Sequence, residues 1–424
     1  MKAADSSRYF PIRYLMVAGT FLISLLLYID RACISVAKES IALDLTLNDQ
    51  QIGWVLSIFT LGYALLQTPS GILADRYGPR RVLSGIVITW SALTALTGAA
   101  WNFVSMLVLR FLFGAAEAGA FPGMARAVYS WIPLQERGLV QGINFSGSRL
   151  GAAFALPFVA LMIQALEWRL TFALLGAFGL MFGLVWYLWF RDSPFAHGQV
   201  SEAERGFLKT HLQSPEPEAP RAAPLRAAQL LGSQNMWLAM GQYFCSNFTF
   251  FFCLTWLFPY VQAQYNLELV EAGFYASVPL IAGAAGNWLS GWWVDRLYRQ
   301  GKWTLSRRIP AMLGFLLAAV GLVASLYMHS VEGAIAFLSL AIFGADMTLS
   351  PSWSFCIDIG KAHAGAVSGT MNMAGNIGAF VTALAFPYLK IWTGSIEPFF
   401  FLGAGLNVLA VLMCMRMRSE EMIE

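Results

Sequence analysis

Twelve apolar stretches, each long enough to cross a bilayer as a helix, follow one another along this chain with little charge between them. Such a crossing takes about 20 mostly apolar residues. On that ruler the stretches lie roughly at 14–36, 51–73, 82–99, 103–127, 140–163 and 170–190, then at 236–260, 270–294, 309–328, 332–356, 364–388 and 396–416. Only 12% of the 424 residues are charged and 58% are hydrophobic, with a mean hydropathy of +0.59. A soluble chain of this length needs more charge than that to cover its surface. In lipid each backbone polar group must be satisfied within the segment, so the expected class is all-α integral membrane.

Composition also narrows function. A net charge of +3 and the absence of a basic, aromatic-rich polar run argue against a nucleic-acid partner. Cys33, Cys245, Cys253, Cys356 and Cys414 stand singly in apolar runs, which fits neither a zinc site nor a disulfide framework. The four histidines (His197, His211, His329 and His363) fall in loops or at span ends, so no metal is expected. No nucleophile–base pair or cofactor fingerprint supports an enzyme, and no cofactor is expected. The basic N-terminus leads into the first span without a small-residue cleavage site, so no cleaved signal peptide is expected.

One long polar stretch, Arg191 to Asn235, divides the spans into two sets of six. It holds "SEAE", where Ser201 and Glu204 have capping-box spacing for a short amphipathic helix, and then the Pro-rich "SPEPEAPRAAP". The expected organisation is a six-helix bundle over 1–190, a cytoplasmic linker over 191–235 and a second bundle over 236–424. The halves repeat. Gly53, Gly71, Asp75 and Arg76 recur 220 residues later as Gly273, Gly291, Asp295 and Arg296 without a gap. Parallel repeats of this kind make a transporter with its site between the halves, near mid-membrane. If both termini are cytoplasmic, 20 Lys and Arg fall in inside segments and only Lys38, Arg169 and Lys390 outside. The positive-inside rule then holds.

Against this background, charges within spans stand out. Asp30 and Arg31 sit side by side in "LLLYIDRACIS", and Glu117 lies in "RFLFGAAEAGAFPG" seven residues after Arg110. Each costs roughly 2.5–3.5 kcal/mol at the centre of a membrane helix on insertion scales. Such residues mostly line a pathway or a proton relay, the alternative being charge pairs that only lock helices together. A carboxylate with a guanidinium nearby can take up and release protons as conformation changes, which suits Asp30 and Glu117. Arg31 keeps its charge and offers a planar fork to an anion. Asn247, Asn287 and Asn372 read as interhelical hydrogen bonds, and the glycines of "GINFSGSRLG" and "FGAAEAG" as close helix packing.

The loop "GILADRYGPRR" resembles the signature loop between helices two and three of the major facilitator superfamily, with Gly71, Leu73, Asp75, Arg76, Gly78, Arg80 and Arg81 in place. It reads as a gate in which Asp75 accepts hydrogen bonds from helix termini or an arginine. With "YIDRACIS", "GYALLQTPSG", "RFLFGAAEAGAFPG", "PSWSFCIDI" and "GTMNMAGNIGAF", nearly the whole chain resembles the anion:cation symporter family, nearest to bacterial galactonate and hexuronate proton symporters. The resemblance implies the major facilitator fold, twelve transmembrane helices in two six-helix pseudo-repeats, and import of an organic anion, above all a sugar acid, with protons. It implies that Asp30 and Glu117 are protonated, that Arg110 pairs with a carboxylate and couples protonation to movement, and that Arg31 binds the substrate carboxylate with Tyr28 and Tyr63. Ser350, Ser352, Trp353 and Asn376 would meet its hydroxyls.

The chain departs from that family at Ser148, where many sugar-acid symporters carry Gln, and has Arg149 beside it and Asp346 near span ten. If Arg149 faces the cavity, the substrate carries two carboxylates or binds in another pose; if it faces a neighbouring helix, it pairs structurally. An exporter, antiporter or uniporter for aromatic or dicarboxylic acids shares the same architecture. The remaining expectations are a monomer in a bacterial inner membrane, with lipid, protons and a small anion as its partners.

Overall fold

A computed structural model describes residues 10–213, 225, 227–267 and 269–423. Among these the regular structure is helical throughout. The first set comprises α1 (Ile12–Asp44), α2 (Asp49–Tyr77), α3 (Pro79–Thr97), α4 (Phe103–Glu117), α5 (Ala120–Trp131) and α6 (Arg137–Trp189). Between the sets lie α7 (Glu202–His211) and α8 (Ala227–Gly232). The second set comprises α9 (Gln234–Thr255), α10 (Leu257–Tyr265), α11 (Leu269–Arg299), α12 (Trp303–Leu326), α13 (Val331–Met347), α14 (Leu349–Gly360), α15 (Ala364–Thr393) and α16 (Glu397–Arg416).

These helices account for all twelve expected spans. The 53 residues of α6 supply spans five and six, because Glu167 at φ 64° breaks the helical backbone between them. Spans four, seven and ten are each interrupted once: after Glu117, at Trp256 and at Thr348. On length and apolarity alone, seven described stretches suffice to cross a membrane, and they contain eight of the twelve spans. The other four lie in α3, the first part of α6, α9 with α10, and α11. In α6 and α9 the reason is visible: Gln141, Asn144, Arg149, Gln242 and Asn247 punctuate the apolar run and are buried inside the bundle.

Local chemistry sets the ends. Asn48 and Gln51 form a capping box at the start of α2, and Asn102 with Ser105 does so for α4. Gly78, at φ 84°, takes a backbone conformation that a side chain would disfavour, and Pro79 then opens α3. Its neighbour Asp192 accepts from the Arg80 backbone N–H at 2.6 Å. Burial raises the Asp192 carboxyl above its ordinary range, and that hydrogen bond opposes the rise.

Within the first set α1 and α3 pack on α6, and α2 on α4; within the second, α9 packs on α15, and α12 on α13 and α16. Two long contacts join the sets, α2 with α15 and α6 with α11. The glycines expected at packing surfaces are there. A Cβ on Gly142 would collide with the backbone of Asn287, one on Gly151 with Leu25, and one on Gly114 with Phe59. All five cysteines are buried and unpaired.

The capping box expected at Ser201 and Glu204 forms only in part. Ser201 Oγ accepts from the Glu204 N–H at 3.2 Å. The Glu204 carboxylate instead accepts from the backbone N–H groups of Ile12 (2.9 Å) and Arg13 (3.2 Å), the first donors of α1. Those donors have no partner in their own helix, so a charged acceptor there is stabilising. This docks α7 on the first set, at the end of the bundle that carries both described chain ends. The Pro-rich segment 214–224 lies outside the described residues.

Candidate functional site

A small cavity of about 40 Å³ lies between the two sets, room for a few waters in this conformation. From the first set, Tyr28 and Arg31, one turn apart on α1, line it with Tyr63, Phe121, Phe145 and Arg149. From the second set come Tyr243, Ser246, Asn247, Phe250, Phe251, Asp346, Leu349, Asn372 and Asn376. Its wall therefore offers two guanidiniums, one carboxylate, three phenols, three side-chain amides and several aromatic faces.

Arg31 is the centre of the first-set wall. Its Nε donates to Glu117 Oε2 at 2.6 Å, and its guanidinium lies 4.3 Å from the ring of Tyr63, 4.9 Å from Phe59 and 5.1 Å from Tyr28. Cation–π contacts of this kind fix the plane of the fork without consuming its donors. Glu117 is fully buried, its Oε1 has no hydrogen-bond partner, and neither has Arg31 Nη2. Arg110 is buried 4.8 Å from the Phe113 ring, with Glu117 and Asp30 among its charged neighbours. It makes no hydrogen bond to either. The expected pairing thus takes a different form: Glu117 bonds to Arg31 from α1, and Arg110, two turns away on its own helix, stays a nearby charge.

Arg149 both faces the cavity and is paired. Its Nε and Nη2 donate to Asp346 Oδ2 and Oδ1 at 2.8 and 2.5 Å, a fork-to-fork ion pair joining α6 to α13. Its guanidinium sits 3.6 Å above the Phe250 ring. Asp346 lies two residues before the interruption at Thr348, and Glu117 closes the helix before the interruption in span four.

Among the residues drawn from the resemblance, Tyr28, Arg31, Tyr63 and Asn376 share this cavity, together with Arg149. Asp30, Arg110 and Glu117 are buried but not among its lining, and four of the expected substrate contacts do not line it either. Ser148 Oγ bonds back to Phe145 O, and Ser350 Oγ reaches Gly138 O at 3.0 Å. Ser352 Oγ donates to Thr348 O at 2.6 Å, beside Gln242 Oε1, and Trp353 Nε1 donates to Tyr243 Oη at 3.0 Å, with its ring packed on Phe121 and Phe145. Trp353 therefore stands behind the wall and orients Tyr243. The asparagines depart from the packing role expected of them. Asn247 donates to Tyr243 O and Asn287 to Gly283 O, each within its own helix. Asn247 and Asn372 are cavity residues. The i,i+4 spacing of Tyr243 with Asn247 and of Asn372 with Asn376 was the available signal.

The repeated loops close one end of the cavity, the end near the described chain termini. Asp75 accepts from the N–H groups of Gly365 (2.9 Å) and Ala366 (2.7 Å), the second and third residues of α15. Asp295 accepts from Gly138 (2.8 Å) and Leu139 (2.9 Å), the second and third residues of α6. Neither helix has a side-chain cap of its own. Each repeat thus supplies the missing cap to a helix of the other set, where the positive end of the helix dipole favours a carboxylate. The repeated glycines have matching roles. A Cβ on Gly71 would strike the backbone of Gly365, and one on Gly291 that of Gly138. Arg126 approaches Asp75 at 3.6 Å, and Asp358 holds Arg137 (2.8 Å) and Arg307 (2.9 Å) together.

The other gate-loop residues are peripheral to this latch. Arg80 Nε donates to Tyr187 O, Arg76 covers Tyr77, and Arg296 covers Trp292. Arg81 contributes charge near Asp192. At the opposite end, Asp44 with Arg169 and Tyr275 with Glu332 tie helices within each set. Among the described residues no hydrogen bond or ion pair joins the two sets there.

Comparison with known proteins agrees with the helical fold. Residues 20–383 match the family model described as Major Facilitator Superfamily. The chain is 34% identical over 398 residues to the "Probable sulfoacetate transporter SauU" of Cupriavidus necator, covering 93% of this chain and 92% of that one. It is 32% identical to the "Probable galactarate/D-glucarate transporter GudP" of Escherichia coli, covering 90% and 88%. Among solved structures, the proton:xylose symporter XylE has a TM-score of 0.72 at 15% identity over 96% of each chain. The E. coli fucose:proton symporter FucP has a TM-score of 0.71 at 13% identity, over 96% of this chain and 99% of that one.

Proposed function

The chain belongs to the major facilitator superfamily of transporters, and from that premise we propose that it imports a small organic anion, of the sugar-acid class, together with protons. The observation that carries this reading is the pairing of Arg31, on the cavity wall, with the fully buried Glu117, which is not itself a lining residue. A substrate carboxylate and Glu117 compete for the same guanidinium. Protonating Glu117 removes its charge and frees the Arg31 fork, so proton uptake and anion binding reinforce one another. Asp30, buried near Glu117 and Arg110, is the second proton site. The phenols and amides of Tyr28, Tyr63, Asn372 and Asn376 suit the hydroxyls of a polyol chain. The names of the relatives, transporters of sulfoacetate and of galactarate and D-glucarate, support an organic acid.

In the bacterial inner membrane, with both termini cytoplasmic, the latched end is the inner one. Substrate and protons then enter from outside. The sets rock, the caps at Asp75 and Asp295 and the bridge at Asp358 break, and the cavity opens inward. Proton release to the cytoplasm restores the Glu117 charge, which reclaims Arg31 and expels the anion. The test is internal pH in proteoliposomes of the purified protein as glucarate, galactonate, glucuronate and sulfoacetate are added in turn. Substrate-dependent acidification is expected. Radiolabelled exchange without any pH change would remove proton coupling, and silence in both assays would remove the organic-acid reading.

A further inference from the structure

Arg31 and Arg149 are two guanidiniums on one cavity, each held over an aromatic ring and each occupied by a buried protein carboxylate. We propose that Arg149 is a second anion subsite which Asp346 occupies until a ligand displaces it, so that the ligand carries two acidic groups, one for each arginine. The inference rests on the organic-anion reading above and narrows it.

Charge counting supports it. Around the cavity stand three guanidiniums (Arg31, Arg110 and Arg149) and three carboxylates (Asp30, Glu117 and Asp346), all largely buried. The remaining titratable neighbours are Tyr28, Tyr63, Tyr243, Cys33 and Cys253, neutral in their ordinary state. The side chains alone balance at three against three. A monoanion at Arg31 needs one proton to restore that balance and leaves the Arg149–Asp346 pair untouched. A dianion needs two, and its second acid group can replace Asp346 only if it offers the same two-oxygen geometry to the fork. Carboxylates and sulfonates do so.

Placement distinguishes this from a plain structural lock. An ion pair that serves only to hold α6 against α13 gains nothing by standing on the ligand's wall. Here both partners line the cavity, and the pair joins the two sets that must move apart. Displacing Asp346 from Arg149 therefore loosens a contact between the sets at the moment the site fills. A monoanion leaves that contact intact, so the same exchange would serve as a check on the cargo before the sets move.

Isothermal titration calorimetry of the full-length protein in nanodiscs tests this with matched pairs that differ in the second acid group: glucarate with gluconate, and sulfoacetate with acetate. The wild-type protein should bind the dianion at least tenfold more tightly than its monoanionic partner. Arg149→Gln should bring the two within about twofold. Asp346→Asn, which removes the internal competitor and keeps the cation, should tighten dianion binding several-fold. A structural lock predicts instead that both variants weaken all ligands alike, and that outcome would overturn the proposal. Equal wild-type affinity within each pair would overturn it too while leaving the organic-anion reading intact. Binding of none of the four acids would overturn both.

Discussion

Glu117 has one hydrogen-bond donor, Arg31 Nε, and one oxygen with no partner at all. A fully buried carboxylate so placed is costly while charged and its partner is costly to abandon, which makes protonation and release a single event. Glu117→Gln keeps an acceptor for Arg31 but cannot titrate. Its accumulation driven by a proton gradient should fall at least a hundredfold, while substrate exchange at equal pH stays within a few-fold of wild type. Full accumulation in that variant, measured with radiolabelled substrate in proteoliposomes, would remove Glu117 from the coupling role. The four charges were legible in the sequence because lipid makes each one expensive. Their partners were not. Arg110 and Glu117 share a face of α4, yet it is Arg31 from α1 that reaches Glu117, because helix rotation and a cage of Phe59 and Tyr63 decide the matter. The serines of span ten illustrate the same limit: a hydroxyl in a span is as readily spent on a neighbouring carbonyl as on a ligand, and Ser350 and Ser352 are both so engaged.

At the scale of the element, the informative unit is a helix start without its own cap. Both α6 and α15 begin that way, and each receives a carboxylate from the opposite set on its second and third N–H groups. Replacing Asp75 with Asn removes the charge from that cap and should destabilise the latched end by about 1–2 kcal/mol. The readout is maleimide labelling of a cysteine placed at Ser350, a fully buried position bonded to Gly138 at the same end. Labelling should speed up roughly tenfold in the Asp75→Asn background, and an unchanged rate would mean that the cap does not hold the end closed. The sequence announced the spans well and their ends poorly. The first was expected over 14–36, whereas α1 runs Ile12–Asp44, because a helix continues through "AKESIALD" once apolar packing has begun it. The interruptions at Trp256 and Thr348 left no proline or glycine signal at the break itself.

For the whole molecule, the 220-residue repeat pointed to two related halves, and the structure gives that recurrence a physical content. Gly71 with Asp75, and Gly291 with Asp295, are two copies of one contact, each made to a helix that the other copy's half contains. What the repeat could not reveal was this crossing, since a capping carboxylate carries no mark of the helix it will cap. Each half therefore holds one acid and one bare helix end, and matches its counterpart twice over. Covalent continuity adds little to such a fit. Two separate polypeptides, 1–213 and 225–424, made together in one cell, should find one another in the membrane, co-purify through a tag on either piece, and carry substrate. The first piece retains α7 clamped to α1 through Glu204, and the second retains its own tail bonded to Asn235. In this light the chain resembles a heterodimer that happens to be translated as one protein, with specificity of assembly written into two aspartates and two glycines.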